Sequence, residues 1–269
     1  MMQTITSGAA RPVGDLLREW RQRRRRSQLD LALDAEISAR HLSFVETGRA
    51  RPSRDMVLLL AEQLAVPLRE RNALLVAAGF APMFQERKLD DPALAAARRA
   101  IDLVLKGHEP FPALAVDRRW SLVAANAAVG RLIAVADPAL LQPPVNVLRL
   151  SLHPKGLAPC IANLAEWRAH LLARLKHQID VSGDPALTAL LDELRAYPAP
   201  EDGKAGPDYG GVVVPLRLRA GDAVLSFFST TTVFGTPIDV TLAELALESF
   251  YPADAATGEA LRRMASAAP

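Results

Sequence analysis

Residues 26–53 read RSQLDLALDAEISARHLSFVETGRARPS, and the reading of this stretch decides the fold of the N-terminal part. Ser27 is placed to cap a helix that begins at Gln28, with Leu31, Ala32 and Ala35 on one side at helical spacing. The pattern breaks at Glu36 and Ile37. Ser38 then caps a second short helix, because its hydroxyl can accept one of the free N–H groups of the first turn. That helix runs to about Thr47 and stops at Gly48, which tolerates the left-handed backbone of a helix end. Leu42 and Val45 face inward; Ala39, Arg40, Ser43 and Phe44 are left pointing out. Two short helices joined by a tight turn, the second offering its outer face, is the geometry that seats a helix in the major groove of a duplex.

Several residues here carry a resemblance. Ser27-Gln28, Leu31-Ala32, Ile37-Ser38, Glu46-Thr47-Gly48-Arg49 and Arg51-Pro52-Ser53 resemble the phage-repressor and Cro type of helix-turn-helix, the XRE family. The run ARHLSFVETGRARPSRDMVLLLAE, residues 39–62, is similar to the members that carry an MmyB-type ligand-binding domain. Glu36 stands at a turn position that is commonly glycine in the wider family. A non-glycine residue in a left-handed turn costs on the order of 1 kcal/mol.

Outward from this stretch, residues 1–12 are small and polar, and disorder is expected there. A first helix is expected from Val13 to about Arg25, with Leu16, Leu17 and Trp20 on one face. Its end is strongly basic, with Arg21, Arg23, Arg24, Arg25 and Arg26 within six residues. Such a run is either a solvated face suited to a helix C-terminus or a phosphate clamp. Its position beside a recognition unit favours the clamp. Ser53 caps a fourth helix with Val57, Leu58, Ala61 and Leu64 as its stripe; Pro67 opens a fifth, closed by Gly79. The expected helix-turn-helix domain is residues 13–82, and residues 83–108 read as a connector with an Ala-rich helix capped near Asp91.

The chain has 269 residues, enough for two ordinary domains. Through Lys88 there are 15 Lys and Arg against 10 Asp and Glu; the remainder has 17 against 20. A basic first part followed by a mildly acidic one suits a DNA-binding domain with an attached sensor. No run approaches the ~18–20 apolar residues that cross a bilayer, and the first dozen residues lack a signal-peptide pattern. The single Cys160 can form no internal disulfide and no Cys-based zinc site. These features point to a cytoplasmic protein.

After residue 108 the character changes. Pro110–Val116 and Trp120–Ala124 read as strands about a turn at Asp117-Arg118-Arg119, and Asn126 caps a helix to about Val135. This order resembles the start of PAS-type sensor domains. A long amphipathic helix is expected from Pro159 to about Ile179, with Leu164, Trp167, Leu171, Leu172 and Leu175 inward, and another over Pro185–Tyr197. A loop, 198–207, precedes three segments of β character: Val212–Arg219, Ala223–Phe234 and about Val240–Tyr251. The expected fold class is α+β: an all-α five-helix N-terminal domain, then a PAS-like domain with an antiparallel sheet over residues 109–256, and a C-terminal tail, 257–269.

The runs HEPFPALAVDRRWSLVAANAA, NVLRLSLHPKGLAP, NLAEWR, VPLRLR, LSFFSTTTVFGTP and TLAELALESFYPADAAT resemble the MmyB-type ligand-binding domain. The resemblance implies an apolar internal cavity and a small lipophilic ligand, a fatty acid or its derivative. Such a site needs an apolar wall and a few directed polar groups. The candidates are Trp167, Phe227 and Phe228 for the wall and His153, Asn163 or Arg168 for the head group. Simple core packing is the competing reading of each aromatic.

Enzyme readings find little support. His170 and His177 lie seven apart on one helix face, without a third ligand at metal-site spacing. No GxSxG, HExxH or GxxxxGK[ST] motif occurs, and the hydroxyl-rich 226–232 segment is explained by strand alternation. No catalytic residue, metal or cofactor is expected. The expected protein is a regulator of transcription, a repressor, that binds operator DNA as a homodimer on two half-sites about one helical turn apart. Gln28 and Ser38 are expected on the DNA backbone, Arg40 on a guanine edge, and Ala39, Ser43 and Phe44 beside the bases. Arg49, Arg51 and the Arg23, Arg24, Arg25, Arg26 run are expected on phosphates. Two alternatives stay open for the second domain: a module that only dimerises or recruits a partner, or an enzyme domain.

Overall fold

The computed structural model describes residues 11–198, 214–235 and 237–267. Most of the tail 1–12 and of the loop 198–207 expected from the sequence lies outside the described residues, as do Val212 and Val213. The chain divides into two compact units, Met1–Arg87 with Pro237–Ala243, and Lys88–Thr236 with Glu244–Pro269.

The first unit holds α1 (Val13–Arg23), α2 (Gln28–Asp34), α3 (Ala39–Glu46), α4 (Arg54–Gln63) and α5 (Leu68–Ala77). Three serines start three of these helices: Ser27, Ser38 and Ser53 accept from the N–H groups of Asp30, His41 and Met56 at 3.1, 3.1 and 3.2 Å. Each satisfies a donor that has no partner within its helix. Leu17, Leu31, Leu42, Leu60, Leu64 and Leu75 are wholly buried and make the core. α1 ends two residues earlier than expected, because Arg25 turns left-handed at φ 53°. Gly14 lets α1 lie directly on the end of α3: a Cβ there would stand 2.4 Å from the Val45 carbonyl oxygen. Glu36 does adopt the left-handed turn, at φ 52°.

The second unit opens with Asp91, which caps a short 3₁₀ turn (Pro92–Leu94) through the Ala93 N–H at 2.8 Å. α6 (Ala95–Gly107) follows. It is not a free-standing connector: its Ile101 and Leu105 pack with Ala113, Ala115, Leu245 and Leu247. Then come β1 (Ala113–Val116), β2 (Leu122–Ala125), α7 (Ala127–Ile133), α8 (Val147–Leu152), α9 (Leu164–Ser182), α10 (Pro185–Ala196), β3 (Leu216–Ala220) and β4 (Ala223–Val233). The chain next contributes α11 (Val240–Ala243) to the helical unit, where Val240 N–H donates to the Gln85 carbonyl at 2.8 Å and Arg87 pairs with Asp239 at 3.2 Å. β5 (Ala246–Pro252) and α12 (Ala255–Ser266) complete the second unit.

The strands form one antiparallel sheet in the order β2-β1-β5-β4-β3. The helices between the second and third strands cover one face, an α+β, PAS-like arrangement. Alternation sorts the strand residues: Leu114 and Val116 join the large core with α8, α9 and α10, while Ala113 and Ala115 face α6.

Two expectations are corrected, and one helix has no counterpart in the sequence reading. The strand expected over 240–251 is a helical turn followed by β5, because the Asp239 side chain accepts from the Thr241 N–H at 2.9 Å and starts a helix. The expected tail 257–269 is mostly α12: Asp254 caps it through Thr257 N–H at 2.7 Å, and Leu261 is buried. Finally, α8, started by Asn146 accepting from Arg149 N–H at 3.0 Å, was not anticipated from its short stretch.

Candidate nucleic-acid interface and ligand cavity

In the helical unit, α3 buries Leu42, Val45 and Glu46 and leaves its other side exposed or half-exposed. Arg40 is exposed, with its guanidinium carbon 5.3 Å from the centre of the Phe44 ring. The Arg49 guanidinium lies 5.9 Å from the same ring, and Arg49 and Arg51 are exposed. Ser38 is exposed at the start of the helix; Ala39 and Ser43 are half-buried. The half-buried Phe44 ring thus has two guanidinium groups within about 6 Å of its centre, contacts worth roughly 0.5–1 kcal/mol each near the surface. The face presents a planar guanidinium fork at Arg40 and further positive charges at Arg49 and Arg51.

The basic run before α2 is not a uniform clamp. Arg21 is buried, and its fork donates to both Glu46 oxygens at 2.6 and 2.8 Å and to the Arg26 carbonyl at 2.8 Å. That bonded carboxylate raises the Arg21 pKa above its ordinary value. Arg23 pairs with Glu19 at 2.9 Å. Arg24 donates to the carbonyls of Leu64 and Ala65 at 2.9 and 3.0 Å, and Arg26 to that of Gln63 at 3.3 Å and to the Asp34 carboxylate. The end of α4 leaves carbonyls without helical partners, and these arginines supply them. Arg25 is exposed. Gln28, expected on the DNA backbone, donates its side-chain N–H to Glu46 at 2.8 Å. The Arg21–Glu46–Gln28 cluster therefore ties α1 and α2 to the last turn of α3.

In the second unit an apolar cavity of about 100 Å³ opens between the sheet and α7, α8 and α9. A second lobe of about 70 Å³ shares Leu114, Val129, Ile133, Leu157, Leu216 and Phe250 with it. Of the expected wall residues, Trp167 lines the larger lobe and Phe227 the smaller. Phe228 does not: on alternating strand residues it faces away, stacked on Tyr251 at 5.2 Å.

The expected head-group residues are all engaged elsewhere. Asn163 holds β3 to α9, donating to the Pro215 carbonyl at 2.8 Å and accepting from Arg217 N–H at 3.1 Å. Arg168 donates to the Leu194 and Arg195 carbonyls at 3.3 and 2.8 Å, closing the end of α10. His153 accepts from Lys155 N–H at 3.0 Å and packs edge-on against Tyr197. None of the three lines either lobe.

The polar groups that do reach the cavity are Ser151, Arg174, Ser229 and Glu248. Arg174 donates to Glu248 Oε2 at 3.2 Å and to Thr231 Oγ1 at 2.7 Å, and also meets Glu248 Oε1. Its guanidinium lies 4.7 Å from the centre of the Trp120 ring. Thr231 donates to Glu248 Oε1 at 3.0 Å, and Ser151 accepts from the Trp167 indole N–H at 3.0 Å. His170 packs on Trp167, its pKa lowered by burial and by the Arg174 charge. A signal for Arg174 existed: it lies seven residues after Trp167, on the same helix face. Glu248 had none, since in an alternating strand it reads as the solvent side.

Among the described residues no helix is long and apolar enough to cross a membrane. The sequence matches the helix-turn-helix family over residues 17–71. None of the curated proteins matches the chain. A solved structure described as that of an RNA-binding light-oxygen-voltage receptor aligns over 99% of this chain and 69% of its own, at 14% identity and a TM-score of 0.24, an overlap too slight to carry an argument. Residues 97–264, well over half the chain, match the family described as MmyB-like transcription regulator ligand binding domain. With a helix-turn-helix before it, this chain belongs to the MmyB-like transcription regulators, DNA-binding proteins with a ligand-binding domain.

Proposed function

We propose that the protein is a cytoplasmic repressor that binds operator DNA as a homodimer and changes its affinity when a small lipophilic effector enters the cavity of the second unit. It acts by binding, without turnover. The observation that carries the reading is the cavity itself: a mostly apolar lining that a few polar side chains, Ser151, Arg174, Ser229 and Glu248, also reach, as ligand sites require. Dry apolar cavities of roughly 150 Å³ take a benzene-sized guest. Adjoining pockets of about 100 and 70 Å³, with six lining residues in common, are of the order that takes a ring or a short chain. The resemblance implies a fatty acid or its derivative, and the lobes would take the acyl part of a short one.

On the DNA side, Arg40 reads a base edge, flanked by Ala39, Ser43 and Phe44; Ser38, Arg25, Arg49 and Arg51 meet the backbone. Arg23, Arg24 and Arg26 add positive potential near it while holding the fold. The effector regulates only if it binds one arrangement of the dimer better than the other.

The test is selection of bound duplexes from a random pool by the full chain, with the protein's mass measured in its native state. The expected result is a two-fold symmetric site with half-sites one turn apart, a dimer mass, and a small lipophilic molecule released on denaturation. Indifference to all duplexes in dilute buffer would overturn the DNA reading; a monomer on a single half-site would overturn the dimer.

A further inference from the structure

We propose that the chain joining β4 to β5 transmits the state of the cavity to the DNA-binding helices, with Asp239 as the residue that positions it. The inference rests on the reading of the cavity as the effector site, and it names the route by which an effector acts.

β4 and β5 pair in antiparallel register from Phe227 and Pro252 to Val233 and Ala246. Strands joined in this way close with a loop of about two to five residues. Here residues 234–245 are used, more than twice as many. Both ends of this connector are set in the second unit: Phe234 and Leu245 pack with Ile101, Leu105 and Leu247, and Glu244 lies 3.7 Å from Arg118. Its middle, Pro237–Ala243, belongs to the helical unit. Ala243 of the one is followed directly by Glu244 of the other, so no spare length absorbs a shift there.

The middle is firmly seated. Asp239 and Val240 are 2% and 1% exposed. Asp239 pairs with Arg87 and forms a parallel bridge with Gln85, and the Thr241 hydroxyl donates to the Arg87 carbonyl at 2.5 Å. The segment that receives it is fixed to α5. Asn72 accepts from the Met83 and Phe84 N–H groups at 2.9 and 3.0 Å and donates to the Phe84 carbonyl at 2.6 Å. Arg69 donates to both Glu86 oxygens at 2.6 and 2.5 Å. Leu74 and Leu75 of α5 share one core with Leu42 and Val45 of α3.

An occupant of the cavity touches Phe227 and Ser229 of β4 and Glu248 and Phe250 of β5, the two strands that the connector joins. The earlier crossing, at Lys88, leads instead to α6, which packs on the other face of the sheet and lines neither pocket. A ligand shifts an equilibrium only by what it contributes differently to the two states. The strands it touches are where that difference arises, and the connector is their direct continuation into the helical unit.

The test gives the connector slack. Gly-Ser-Gly is inserted after Gly235 and again after Ala243 in the full chain, which leaves the seated segment unaltered. Affinity for a duplex obtained by selection is measured with and without saturating decanoate, and decanoate binding is followed separately by calorimetry. In the unaltered chain decanoate is expected to change duplex affinity by about tenfold. In the lengthened chain each ligand alone is expected to bind as before, and the change is expected to fall below about twofold. An undiminished change would overturn the proposal and leave the effector reading in place. A lengthened chain that folds but no longer binds duplex would also overturn it, since the connector would then support the helices rather than transmit. Decanoate that fails to bind, or that binds without altering duplex affinity in the unaltered chain, would overturn the effector reading and the inference with it. Asp239→Asn keeps an acceptor for the Thr241 N–H and removes the charge facing Arg87. It serves where the lengthened chain does not fold: the effect of decanoate is expected to shrink about threefold, and an unchanged effect would overturn the proposal.

Discussion

The Arg21 guanidinium grips both oxygens of the Glu46 carboxylate, at 2.6 and 2.8 Å, with the two side chains only 10% and 1% exposed. Through this pair the end of α1 fixes the last turn of α3. Removing one partner strands a buried charge, so Glu46→Ala is expected to destabilise the helical unit by about 3–5 kcal/mol. Replacing both partners by apolar residues, Arg21→Met with Glu46→Leu, is expected to cost far less than either change alone. Urea unfolding of the three variants measures the difference. A loss under about 1 kcal/mol for Glu46→Ala would place the pair with ordinary surface bridges.

Glu36 holds a left-handed turn at φ 52° between α2 and α3. Glycine takes that conformation without the Cβ penalty, though it loses more chain entropy on folding. The expected net effect of Glu36→Gly is a gain of about 0.5–1 kcal/mol. In a domain of this size that raises the midpoint of thermal unfolding by a few degrees, readable by calorimetry. An unchanged or lower midpoint would mean that the Glu36 side chain offsets its own strain.

Arg40 and Arg51 are both exposed, yet the two should fail differently. Arg40→Ala is expected to lower discrimination at one operator position by ~1–3 kcal/mol, read by competition between single-base variants of the site. Arg51→Ala is expected to weaken all sequences evenly and to flatten the dependence of log K on log salt by about one unit. A uniform loss for Arg40→Ala, or an unchanged salt slope for Arg51→Ala, would reverse these assignments.

Acid should weaken the second unit through Glu193. Arg149 donates to its carboxylate at 2.6 and 2.7 Å, and Tyr197 adds a hydrogen bond. Together they bring the Glu193 pKa down from 4.5 to about 2. A carboxyl whose pKa is depressed by folding contributes stability above its unfolded pKa, and that contribution is lost as pH falls from 4.5 toward 2. More than a third of each side chain is exposed, so solvent screening holds the contribution to about 1 kcal/mol or less. Glu193→Gln should therefore flatten the stability profile over that interval and leave its shape near neutrality unchanged. An equally steep acid limb in the variant would assign the loss to other carboxylates.

The sequence by itself determined the five-helix unit almost to the residue. Its signals are local: a serine before each of three helices, Gly48 and Gly79 after two of them, and a stripe of leucines at helical spacing. A cap and the N–H that it satisfies lie three residues apart, so the contact is present in the sequence. In the second half the first two strands and the helix after them were legible for the same reason, through alternation and the cap at Asn126, whereas α8, α11 and α12 were not.

Only the tertiary structure decided which charged side chains remain for a ligand. Arg24 and Arg26 read as free cations until the carbonyls at Leu64, Ala65 and Gln63, about forty residues later, are brought beside them. Asn163 and Arg168 read as head-group candidates until β3 and the end of α10 take their hydrogen bonds. Arg174 and Glu248 are separated by 74 residues and meet because β5 pairs with β1 and β4 in one register. A buried ion pair depends on where two distant segments converge, and neither helical nor strand periodicity carries that information.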